Sequence, residues 1–138
     1  LSSLLMIVIT AEVYAVILGP GAVNVGWQVP TNALLHQVTP ALTVLVWLLV
    51  GPRGWIRWAT VAWSLVIPLV WVAWVLVRGA VIDAYPYGFI SVHSLGYATA
   101  LRNIAGVLVV ALVVATVLYG TDALLGRLGH GHHGGAEA

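Results

Sequence analysis

The chain has no cysteine and no lysine, and only 7% of its 138 residues are charged. The absence of cysteine excludes disulfide bonds, thiolate metal ligands and cysteine nucleophiles. A net charge of +1 supplies no basic field, so we do not expect nucleic acid as a partner. A soluble domain carries about 25% charged residues. This chain therefore lacks the polar side chains that a water-facing surface requires.

Apolar residues fill most of the chain, at 62% of the sequence with a mean hydropathy of +1.06. A helix needs about 20 largely apolar residues to cross a bilayer. Such stretches lie at about 1–18, 31–50, 57–77 and 100–125, separated by Gly/Pro breaks or charges. We predict an all-α fold, a multi-pass transmembrane helical bundle with four spans. Membrane lipids are its expected partners, and the oligomeric state stays open.

The arginines predict an orientation in the cell membrane. Arg53 and Arg57 lie between the second and third spans, and Arg127 follows the fourth. The positive-inside rule places loop 51–56 and the C-terminal tail in the cytoplasm. Residues 126–138 are rich in glycine and histidine, which predicts a disordered tail.

A polar stripe runs along the second span. Asn32, His36, Thr39 and Thr43 follow helical spacing, so they share one face. Lipid cannot satisfy these groups, so the face must turn to the bundle or to a cavity. Pro40 removes the amide that would bond to the His36 carbonyl, which predicts a kink. Because histidine titrates near neutral pH, His36 is the candidate catalytic residue. The alternative is a structural histidine bonded to a neighbouring helix.

Other polar residues gather at the predicted outer side. Glu12 lies inside the first span, where a carboxylate must be protonated or paired, and it is a candidate polar partner of His36 or of the outer arginines. Residues 79–99 are predicted to form a structured outer loop. Arg78 and Arg102 lie outside against the positive-inside rule, so we expect another role for them. The predicted substrate-binding residues are Asn32, Arg78, Tyr85, Tyr87, Arg102 and Asn103.

Known catalytic motifs are missing from the sequence. There is no G-x-S-x-G nucleophile elbow, no H-E-x-x-H run and no pair of carboxylates. His36 and His93 lack a third protein ligand of fixed position, so we predict no metal site and no cofactor. A metal site at these two histidines and haem ligation by the same pair are the alternatives.

Several short segments together resemble a known family. Residues 32–40 (NALLHQVTP) resemble the N-x-x-x-H-x-x-x-P run of the androgen-induced membrane protein family and its bacterial relatives. Arg-Gly at 78–79, Tyr-Pro-Tyr at 85–87 and Arg-Asn at 102–103 are similar to the second half of the family pattern. Gly-Pro-Arg at 51–53 resembles a turn of the bacterial members.

The resemblance implies a six-helix membrane protein. Animal members of the family hydrolyse fatty acid esters of hydroxy fatty acids with a threonine nucleophile and a histidine, and that histidine corresponds to His36. The family threonine lies in an earlier helix, so the resemblance implies that two helices and the nucleophile precede Leu1. The first hypothesis is thus a lipid-ester hydrolase that uses His36. Alternatives are a non-enzymatic lipid-binding or structural membrane protein, and a proton or small-solute carrier with Glu12 and His36 as relay.

Overall fold

The computed structural model describes the backbone of residues 1–130 and the side chains of residues 1–128. Within that range the chain is helical, without a strand. The four long helices are α1 Ser2–Gly21, α2 Gln28–Val50, α3 Trp58–Ile82 and α4 Val92–His130. Each is long and apolar enough to cross a bilayer, where a helix satisfies its own backbone hydrogen bonds. The predicted all-α, four-span membrane bundle is confirmed.

The loop between α3 and α4, called the outer loop after its predicted position, is shorter than predicted. Helix α3 continues to Ile82 and α4 begins at Val92, so the loop covers 83–91 rather than 79–99. Asp83 ends α3 with a φ of 53°, a left-handed conformation in which aspartate is enriched. Gly96, with a φ of 74°, breaks the first turn of α4 from the rest of the helix. The loop is shorter because α3 extends past Arg78 to Ile82 and α4 begins one turn before the break at Gly96.

The C-terminal end of α4 reaches into the predicted disordered tail. The helix continues through His130, so residues 126–130 are helical. The rest of the predicted tail, with His132 and His133, lies outside the described residues.

Two of the helices contain a π-helical turn, Tyr14–Leu18 in α1 and Leu34–Val38 in α2. In α2 the cause is local. Pro40 has no amide for the His36 carbonyl, and the Thr39 amide bonds back to the Leu34 carbonyl. The irregularity expected at Pro40 therefore takes the form of a wider turn, a feature that is frequent at functional sites.

Helix α4 forms the centre of the bundle. In its most apolar window 22% of the residues are buried, against 6% in α2. One core cluster joins Leu5, Val61 and Ala115 from α1, α3 and α4. A second cluster joins Val75, Ile90 and Ile104, so the outer loop packs on α3 and α4.

Helix α2 packs at the side of α1, where His36 of the polar stripe contacts Tyr14. Thr39 of the stripe is exposed, and Thr43 donates to the Thr39 carbonyl within α2.

Asp122, which the sequence reasoning did not single out, lies at the end of the bundle that carries Arg53, Arg57 and Arg127, here called the arginine-rich end. This side chain is fully buried, and its Oδ2 accepts a hydrogen bond from the Ile56 amide at 2.9 Å. The bond ties the loop between α2 and α3 to α4, so Arg53, Arg57 and Arg127 lie at one end of the bundle. The sequence did contain a signal for Asp122, because an acidic residue inside a predicted span is costly unless it has a partner.

Candidate functional site

His36 lies at the contact between α1 and α2, where its ring stacks on Tyr14. The ring centroids are 4.0 Å apart and the planes differ by 16°. Each residue belongs to the π-helical turn of its helix, so the two irregular turns face each other. The stack fixes the plane of the imidazole.

A backbone carbonyl determines which nitrogen of His36 carries the hydrogen. Nδ1 lies 3.2 Å from the Asn32 carbonyl oxygen. Because a carbonyl only accepts hydrogen bonds, Nδ1 donates, and Nε2 of the neutral ring keeps its lone pair. This is the tautomer that a general base at Nε2 requires.

Two asparagines connect this pair to the loop between α1 and α2. The Asn32 side-chain amide donates to Asn24 Oδ1. The Asn24 amide in turn donates to the Tyr14 hydroxyl at 3.3 Å. Asn32, predicted to bind substrate, therefore positions Tyr14 and His36 through hydrogen bonds and does not line the cavity beside them.

A cavity of about 340 Å³ adjoins His36. Its polar side chains are few, chiefly His36, Thr10 and Tyr87, and the remaining walls are almost entirely apolar. The apolar walls come from α1, α3, α4 and the outer loop, and include Leu5, Ile9, Val72, Phe89, Ile104 and Leu108. Ligand sites commonly have this size and this composition, an apolar container with a few placed polar groups.

Tyr87 connects the outer loop to this cavity. Its ring lies 5.7 Å from the Phe89 ring and 6.2 Å from the Trp71 ring. Aromatic pairs at these separations stabilise one another beyond their buried area. Of the predicted substrate-binding residues, Tyr87 is the one that shares a cavity with His36.

Glu12, Arg102 and Asn103 line a different groove, of about 480 Å³, between α1 and α4. The Asn103 side-chain amide donates to the Phe89 carbonyl at 2.8 Å, which holds the outer loop on α4. Glu12 is thus a neighbour of Arg102 in this groove, and it does not line the cavity of His36.

Arg78 and Tyr85 line neither of these spaces. Arg78 is exposed and donates to the Ala84 carbonyl at 3.4 Å, next to the C-terminal end of α3. Tyr85 packs on Gly79 at that end. Partial burial raises the pKa of the Tyr85 hydroxyl, with smaller contributions from Tyr97 and Asp83. Both residues support the outer loop.

The metal and haem alternatives find no support in the described side chains. Among them no group of three His, Asp or Glu residues is placed to hold a metal ion. His93 does not line the His36 cavity, and its Nδ1 lies 3.0 Å from Asp83 Oδ1 at the surface.

The sequence reasoning missed three residues at the site, Thr10, Tyr14 and Asn24. The first two are polar residues inside a span, a signal the sequence contained. Asn24 lies in an uncharged loop, and only the tertiary structure brings it to Tyr14.

Comparison of the chain with models of protein families, with curated proteins and with solved structures finds no match. Membership of the androgen-induced membrane protein family therefore stays a prediction.

Proposed function

We propose that this integral membrane protein hydrolyses lipid esters, with His36 as general base and then general acid. The observation that carries the proposal is that His36, held as the Nδ1–H tautomer, lines a largely apolar cavity. The resemblance of residues 32–40 to a family of fatty-ester hydrolases favours the same chemistry.

In this proposal each portion of the substrate has its own place in the cavity. Its apolar walls hold an acyl chain, which gains roughly 0.8 kcal/mol per methylene group taken from water. His36 Nε2 accepts a proton from an attacking hydroxyl or water as that oxygen bonds to the ester carbon. The carbon–alkoxide bond then breaks, and His36 returns the proton to the leaving alkoxide. Attack by water releases the free acid directly; attack by a hydroxyl leaves an acyl-enzyme, which water hydrolyses in a second round with His36 as base and then acid. No described residue is assigned as nucleophile.

Replacing His36 by alanine tests the proposal. We expect kcat/KM for a long-chain p-nitrophenyl ester, measured with the protein in detergent, to fall at least about 100-fold, the usual contribution of a general base. Gln37→Ala is the matched control, because Gln37 is exposed in the same π-helical turn. Turnover by His36→Ala at the wild-type rate would contradict the role of His36.

A second candidate is a non-enzymatic lipid-binding or structural protein. It is favoured by the engagement of His36 with Tyr14 and the Asn32 carbonyl, contacts that also fix helix packing. In that case His36→Ala lowers the melting temperature and the wild type shows no turnover.

A carrier with a Glu12–His36 relay is less favoured because the two residues line different spaces. It would require pH-dependent flux into proteoliposomes.

We propose that the arginine-rich end faces the cytoplasm. The chain has no cysteine, so single cysteines report orientation directly. In intact cells a membrane-impermeant maleimide is expected to label Ser94→Cys and to label Trp55→Cys only after permeabilisation. Both residues are exposed, at opposite ends of the bundle. The reverse labelling would overturn the orientation.

A further inference from the structure

The groove between α1 and α4 contains two charges of opposite sign. Glu12 comes from α1 and Arg102 from α4. Within the part of the chain that the structure describes, neither side chain has an ion-pair partner. A charged side chain in a membrane span is costly unless another charge or water compensates it. Glu12 therefore lacks, within the described chain, the partner that a carboxylate in a span requires, and Arg102 lacks a counter-charge, so a ligand can supply both.

The groove opens towards the surrounding lipid. Val16, Ile17 and Val110 line it and remain 71%, 40% and 44% exposed. In a helix that spans the membrane, an exposed apolar side chain contacts acyl chains. A ligand consequently reaches this groove from within the bilayer, and its apolar part can stay against these residues.

We propose that this groove binds a zwitterionic phospholipid. The phosphate lies against Arg102, whose planar guanidinium suits phosphate oxygens, and the ammonium group lies against Glu12. An acyl chain runs from there into the bilayer along Val107 and Val110 of α4. An anionic phospholipid satisfies Arg102 but leaves Glu12 without a cation. Charge complementarity therefore predicts selection between headgroups.

Gly106 provides a way to block the groove without a change of charge. It lines the groove, and a Cβ built on it meets no atom within 4 Å. Leucine is a better helix former than glycine, so Gly106→Leu fills the groove without weakening α4. Gly120→Leu is the matched control, because Gly120 has the same open surroundings on α4 and does not line the groove.

The experiment is native mass spectrometry of the full chain in detergent, with equal amounts of palmitoyl-oleoyl phosphatidylethanolamine and phosphatidylglycerol. We expect the wild type to retain the ethanolamine lipid about tenfold more, the scale of one charge-assisted hydrogen bond. In Glu12→Gln the two lipids should be retained equally. Arg102→Gln and Gly106→Leu should retain less of both, and Gly120→Leu should match the wild type.

Two results would overturn the proposal. Equal retention of both lipids by the wild type would show that the headgroup is not selected. Wild-type retention by Glu12→Gln/Arg102→Gln would show that neither residue contacts the headgroup. The inference does not depend on the proposed hydrolysis, because His36→Ala should keep the headgroup preference whether or not it loses turnover.

Discussion

Replacing Gly79 by alanine is expected to detach the outer loop from α3. A Cβ on Gly79 would lie 2.2 Å from Cε1 of Tyr85 and 2.3 Å from its Cζ. Moving the ring disturbs its contact with the cluster of Val75, Ile90 and Ile104, on which Tyr85 packs. Overpacking of this kind costs about 1–3 kcal/mol. We expect a lower melting temperature in detergent, followed by tryptophan fluorescence.

Gly106→Ala is the control for the loss of a glycine from a helix. Its Cβ meets open space, so alanine should be neutral or stabilise by up to about 1 kcal/mol. The clash with Tyr85 is tested by Gly79→Ala in a Tyr85→Ala background. There Gly79→Ala should lower the melting temperature no further than Tyr85→Ala alone. A persistent loss there would show that Tyr85 is not the obstacle.

Replacing Asp122 by alanine should loosen the arginine-rich end. The Ile56 amide would lose its acceptor, and an unsatisfied, partly buried amide costs about 1–3 kcal/mol. Ile56 also packs against the cluster of Leu5, Val61 and Ala115, so its displacement exposes that core. We expect a lower melting temperature and faster tryptic cleavage after Arg53 and Arg57.

Asp122→Asn separates the hydrogen bond from the charge. Asparagine keeps an acceptor for the Ile56 amide, so it should retain most of the stability and the slow cleavage. Asp83→Asn is a second control: asparagine tolerates the left-handed conformation of Asp83, Asp83 is 66% exposed, and its pair with His93 is worth less than about 1 kcal/mol. Equal losses in Asp122→Ala and Asp122→Asn would contradict the hydrogen-bond explanation.

The architecture was predictable because it depends on composition over long stretches. The run 31–50 is largely apolar despite its polar stripe, and lipid leaves a single chain segment few alternatives to a helix. Helix ends were less predictable. The end of α3 at Asp83 depends on one left-handed residue and on the packing of Tyr85, contacts that no local pattern encodes.

The site was predictable in part, for the same reason. Helical spacing identified the polar face with His36, and Pro40 identified the irregular turn, since both are properties of one helix.

The sequence alone thus determined a four-span helical membrane protein with a polar face on the second span. Only the tertiary structure decided that Tyr14 stacks on His36 and that Asp122 holds Ile56. It also separated the polar residues of the outer side into a His36 cavity and a Glu12–Arg102 groove. These outcomes depend on which faces of different helices meet, and lipid, which solvates every apolar face alike, leaves that choice to specific packing and hydrogen bonds.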